Sequence, residues 1–129
     1  MVGMVIVSHS RKAADGIKEL AAQMAGPGLN LIAAGGMNDG AIGTDAVRIS
    51  EAIVRADSGD GVVVLVDLGS AVLSTETAIE LLPGEIDVKI ADAPILEGSI
   101  MAAVEASVGS PLAAVIAAAE GSRSMVKLS

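Results

Sequence analysis

Four short runs of aliphatic and β-branched residues, Val2–Ser8, Leu29–Ala34, Val62–Asp67 and Ile86–Ala91, are apolar almost throughout rather than at alternate positions. A strand with one wet face alternates; a near-continuous run suits a strand covered on both faces, as in a parallel sheet flanked by helices. Segments of helical period separate the runs. Ala13, Ile17, Leu20, Ala21 and Met24 fall at i, i+4, i+7, i+8 and i+11 and predict the buried stripe of a helix that ends near Gly26-Pro27-Gly28. Further helices are predicted over Thr44–Ala56, Ser70–Leu82, Ile95–Val108 and Pro111–Glu120. The last has Ser110 as its cap, Pro111 at its first position and Gly121 as its stop. Met125–Leu128 fits either an extra edge strand or a frayed end. The expected fold is a single α/β domain over residues 1–129: an open, mainly parallel four-stranded sheet of order 2-1-3-4 with helices on both faces.

Composition narrows the function classes. The 129 residues are 52% hydrophobic and 19% charged, enough apolar matter for one core. With no Phe, Trp, Tyr or Cys, that core must be built from Val, Ile, Leu, Met and Ala, and Met24, Met37 and Met101 are expected to fill gaps in it. Disulfides, thiolate chemistry and Cys-based metal sites are excluded. A net charge of −8 opposes nucleic acid and anionic lipid as partners. No apolar stretch is long enough to span a bilayer, so a cytoplasmic protein is expected. One His and scattered carboxylates form no convincing metal cluster, and no cofactor is expected.

The chemistry-bearing residues gather at the strand-to-helix turns. His9-Ser10 follows the first strand, Gly35-Gly36-Met37-Asn38-Asp39-Gly40 leads from the second toward Thr44, and Asp67-Leu68-Gly69-Ser70 follows the third. In a parallel sheet all three turns open on one edge, and order 2-1-3-4 makes strands one and three neighbours at the switch point, where open α/β sheets bind ligands. His9 and Asp67 are therefore expected side by side. A carboxylate on one imidazole nitrogen fixes the tautomer and leaves the other as a lone-pair nucleophile. Ser10, Thr44 and Ser70 are candidate N-caps, and with the backbone of Gly36 and Gly69 they are candidate donors to phosphate oxygens. Each residue also has a structural reading, as a turn residue, cap or loop glycine; their convergence on one edge favours chemistry.

Several spaced motifs along nearly the whole chain carry a resemblance. Ile6-Val7-Ser8-His9-Ser10, Ile42-Gly43-Thr44-Asp45-Ala46-Val47, Asp67-Leu68-Gly69-Ser70-Ala71, Leu73-Ser74-Thr75-Glu76-Thr77-Ala78 and Ala93-Pro94-Ile95-Leu96-Glu97-Gly98 look like the phosphoryl-carrier (DhaM-type) subunits of phosphoenolpyruvate-dependent dihydroxyacetone kinase. Those subunits are similar in turn to mannose-type IIA domains of the sugar phosphotransferase system. The resemblance implies that His9 is the phosphorylated residue and Asp67 the aspartate that supports it. It also implies phospho-HPr as donor and, as acceptor, ADP on a DhaL-like subunit that then phosphorylates dihydroxyacetone held by a DhaK-like subunit. A homodimer is implied as well. Mannose-type IIA proteins carry a tryptophan-containing turn after the aspartate; here it reads Leu68-Gly69-Ser70-Ala71, which favours the dihydroxyacetone branch over sugar transport.

Competing readings fare worse on the residues. A receiver-like signalling domain phosphorylated on Asp67 needs extra carboxylates after the first strand to bind magnesium, and that position reads Ser8-His9-Ser10. A nucleotide-binding module needs G-x-G-x-x-G or a Walker sequence there, and neither is present. For a non-catalytic dimerisation domain an acidic, alanine-rich α/β chain would suffice, and such a domain would take up no phosphate.

Overall fold

The computed structural model describes residues 1–128. Along the chain run β1 (Gly3–Ser8), α1 (Arg11–Ala25), β2 (Leu31–Gly35), α2 (Ala46–Ala56), β3 (Val62–Val66), α3 (Gly69–Glu80), β4 (Val88–Ile90), α4 (Ile95–Ser107) and α5 (Leu112–Gly121), closed by a 3-10 turn at Ser122–Ser124. The sheet is wholly parallel in the order β2-β1-β3-β4. In its centre Ile6 lies level with Ala33 of β2 and Leu65 of β3, and Val7 level with Ala34 and Val66.

Side chains alternate across a strand, so a run apolar at every position feeds two cores. Met4, Ile6, Val63 and Leu65 pack under α1, α4 and α5. Val5, Val7, Val62 and Val64 pack under α2 and α3. All eight are fully buried, each stabilising the fold by about 1.5–3 kcal/mol relative to exposure. No helix among the described residues is long and apolar enough to cross a membrane.

Helix α1 buries a different stripe from the one its periodicity suggests. Ala14 and Ala21 face the sheet with Ile17 and Ala25 beside them, whereas Leu20 and Met24 are 51% and 62% exposed and Ala13 faces outward. The cause is close approach: a Cβ on Gly35 of β2 would stand 2.6 Å from the Ser10 carbonyl oxygen and 2.7 Å from the Ala14 Cβ. Only small residues fit beneath α1 there, so its longer side chains turn to solvent. Met24 and Met101 are likewise exposed and Met37 half-buried; Met4 alone among the methionines is buried.

Capping follows the stronger acceptor. Ser10 does cap α1, its hydroxyl accepting from the Ala13 N–H at 3.2 Å. Thr44 does not cap α2: Asp45 does, with Oδ1 accepting from Val47 and Arg48, as a carboxylate one residue nearer the helix outcompetes a hydroxyl. Ser70 is not a cap either, because α3 begins a residue earlier and Leu68 holds the capping position with no side-chain bond. At α5 the extended Pro111 is itself the cap, Ser110 donates instead to Glu105, and Gly121 completes the last turn rather than stopping it. Strands β2 and β4 are shorter than their apolar runs, and 125–128 forms no edge strand. The tail is instead tied down by Arg123 on Asp92 at 3.0 Å and Lys127 on Glu97 at 2.7 Å.

Candidate functional site

The C-terminal ends of β1 and β3 carry the site. Since Val7 is level with Val66, the next residues, Ser8 and Asp67, are level too, and the chain turns sharply after each into α1 and α3. Asp67 is the hub. Its Oδ1 accepts from the Leu68 N–H at 2.8 Å and lies 2.9 Å from His9 Nδ1. Its Oδ2 accepts from the Ser8 hydroxyl and the His9 backbone N–H, both at 2.9 Å. Burial pushes the Asp67 carboxyl up, but the His9 amide, the His9 ring, the Ser8 hydroxyl and the charge of His9 together outweigh it and hold the group below the usual aspartate range. A carboxylate so held only accepts, so Nδ1 of His9 carries the proton and Nε2 the lone pair.

That lone pair faces the start of α3. The Ser70 hydroxyl lies 2.6 Å from Nε2 and is its donor. The Gly69 and Ser70 amides are among the first N–H groups of α3, which have no acceptor within the helix, and no side chain caps them. A Cβ added at Gly69 would meet nothing within 4 Å, so that approach is open. The His9 and Asp67 side chains each keep 20% exposure, enough for access from the rim. An anion on Nε2 would sit in the positive end of the α3 dipole, facing a hydroxyl and two free amides. A cleft of about 460 Å³ continues from Asp67 and Gly69 past Val72 to Ile90 and Asp92.

The other expected donors divide. The Gly36 amide is committed, donating to the Ser8 carbonyl at 3.1 Å, so it holds the turn rather than facing an anion. Gly36 has φ of +70° and its loop returns to the site, where the Gly43 N–H donates to the His9 carbonyl at 2.9 Å. Ser10 remains at the foot of α1 with its oxygen engaged by Ala13. Thr44 bonds Ser74 of α3 at 2.6 Å, one turn below Ser70. Arg11 and Lys12 are exposed. Two residues escaped the sequence reading. Ser8 looks like the last residue of a strand yet anchors Asp67, and Ser74 is signalled only by its four-residue spacing from Ser70.

Comparison with known proteins places the chain in a family. Residues 3–116 match the EIIA-man family model, described as the PTS system fructose IIA component. The PEP-dependent dihydroxyacetone kinase 2 phosphoryl donor subunit DhaM of Listeria innocua is 41% identical over 110 residues, covering 84% of this chain and 88% of that one. The corresponding Escherichia coli K12 subunit is 45% identical over 121 residues, covering 90% of this chain but only 26% of its own length. The crystal structure of the unknown-function protein EF1359 superposes with a TM-score of 0.84 at 35% identity, covering 98% of this chain and 97% of that one. With its parallel sheet, its order of strands and nearly its whole length accounted for, the chain belongs to the EIIA-man family of phosphotransferase-system IIA components.

Proposed function

We propose that this protein is a phosphohistidine carrier, taking a phosphoryl group from phospho-HPr onto Nε2 of His9 and passing it to ADP on the DhaL-like subunit of a dihydroxyacetone kinase, which in turn serves a DhaK-like subunit. The observation that carries the reading is the His9 pair of contacts: Nδ1 on Asp67 at 2.9 Å and Nε2 directed at the N-terminus of α3. The relatives named as phosphoryl donor subunits of dihydroxyacetone kinase support the choice of acceptor.

In the uptake step the donor's P–N bond breaks as the Nε2 lone pair forms a new one. The Nδ1 proton stays between His9 and Asp67, whose negative charge stabilises the cationic ring that results. Ser70 turns its hydroxyl from Nε2 to a phosphoryl oxygen, while the Gly69 and Ser70 amides receive the others. In the second step the Nε2–P bond breaks and a β-phosphate oxygen of ADP takes the group. Positioning and electrostatics suffice, so the domain over residues 1–129 acts as a shuttle between partners, in the cytoplasm and as a homodimer. A concentration-independent monomer mass in solution would remove the dimer from this account.

Incubation with labelled phosphoenolpyruvate, enzyme I and HPr tests the core of the proposal. Wild-type protein is expected to gain a label that is lost in acid and survives base, and folded His9→Gln to gain none. Full carrier activity in His9→Gln, or a base-labile acyl phosphate, refutes it. The geometry already disfavours Asp67 as acceptor, because both its oxygens are engaged, by four donors in all.

A further inference from the structure

We infer that Ser74, acting through Thr44, is a positioning residue for phosphoryl transfer at His9, an inference that rests on the carrier reading above. His9 is gripped from two sides. The 36–45 loop holds its carbonyl through the Gly43 N–H at 2.9 Å, and α3 holds its Nε2 through the Ser70 hydroxyl at 2.6 Å. These two jaws are joined by the Thr44–Ser74 hydroxyl pair at 2.6 Å, partly buried.

The neighbouring hydroxyls of α3 show that this pairing is not the default. Thr75 and Thr77 each donate back to the carbonyl four residues earlier, to Ala71 at 2.7 Å and Leu73 at 3.1 Å. Ser74 could do the same to Ser70, yet its hydroxyl engages the loop. The loop turns through Gly36, Gly40 and Gly43 at φ of +70°, +86° and +144° and is bonded internally, the Met37 N–H donating to the Ala41 carbonyl at 2.9 Å, while the Thr44–Ser74 pair is the side-chain bond that joins it to α3.

The consequence is mechanical. No phosphoryl group fits between Nε2 and an oxygen 2.6 Å away. Either the Ser70 side chain rotates or the first turn of α3 withdraws. Ser74, one turn on and tied to the loop, prevents withdrawal, so Ser70 rotates and its hydroxyl and the helix amides remain at bonding distance from the arriving oxygens. Loss of the tie leaves docking of the donor intact but loosens the reacting geometry.

The test is transfer kinetics from phospho-HPr. Ser74→Ala is expected to lower kcat about five- to tenfold, the worth of one well-placed hydrogen bond, with KM for phospho-HPr unchanged. Ser74→Thr, which keeps the hydroxyl, is expected to restore kcat. Thr44→Val is expected to match Ser74→Ala, and the double variant to be no slower than the slower single one, because the pair acts as a unit. Wild-type kcat in folded Ser74→Ala, additive losses in the double variant, or a loss in KM alone would overturn the inference. If Ser74→Ala fails to fold, Thr44→Val with the Ser74→Thr comparison decides by the same criteria. Wild-type protein that takes no phosphate under these conditions defeats the carrier reading itself, which separates the two failures.

Discussion

A single carboxylate organises the site. Asp67 receives four donors, and replacing it by Asn puts an NH2 where one oxygen accepts two of them. Asp67→Asn is expected to cost about 1–3 kcal/mol of stability through the unpaired groups and, by releasing the His9 tautomer, to slow phosphate uptake by about a hundredfold or more; denaturant melts and the label assay read the two effects separately. The pH dependence has a definite sign. The folded-state pKa of Asp67 is depressed, so its contribution is fully present above the unfolded aspartate range and disappears as pH falls through the lower folded value. The stability gap between wild type and Asp67→Asn should therefore be flat near neutrality and close in acid, and a gap that widens in acid would contradict the assignment. His9, Asp67 and Ser70 are legible in the sequence because each stands just past an apolar run. Ser8 and Ser74 are not, since a serine ending a strand and a serine within a helix look the same whether or not they hold a neighbour.

Elements were easier to read than their ends. Period distinguishes helix from buried strand over many residues, so all four strands and five helices lie where the apolar pattern puts them. An end is decided by one or two local contacts, and at α2 and α3 the contacts went to Asp45 and to no side chain at all, freeing Thr44 and Ser70 for the site. The α1 stripe failed for a different reason: periodicity marks which residues could be buried, whereas the distance between helix and sheet decides which can fit. Gly35 sets that distance. Gly35→Ala would drive a methyl into the Ser10 carbonyl and Ala14 and is expected to cost about 1–3 kcal/mol in a denaturant melt. It should also impair uptake, because the displaced first turn of α1 follows directly on His9.

At the scale of the molecule, the order β2-β1-β3-β4 satisfies the handedness of parallel crossovers and covers both faces of the apolar runs, with no aromatic residue to anchor it. The centre is correspondingly dependent on fit among aliphatic side chains. Ile6→Ala, in the middle strand and fully buried, is expected to lose about 2–5 kcal/mol of unfolding free energy, measured by urea titration. The pairing of β1 with β3 does more than hold the chain together. It brings His9 to Asp67 across 58 positions of sequence, and a side chain changes face with every residue along a strand. One extra residue inserted ahead of Asp67 would therefore aim the carboxylate into the opposite layer. The hydrogen-bonded ladder thus serves as the ruler of the candidate site, and deletions or insertions inside β3 are expected to abolish phosphate uptake in the label assay even where the apolar layers on either face of the sheet tolerate them.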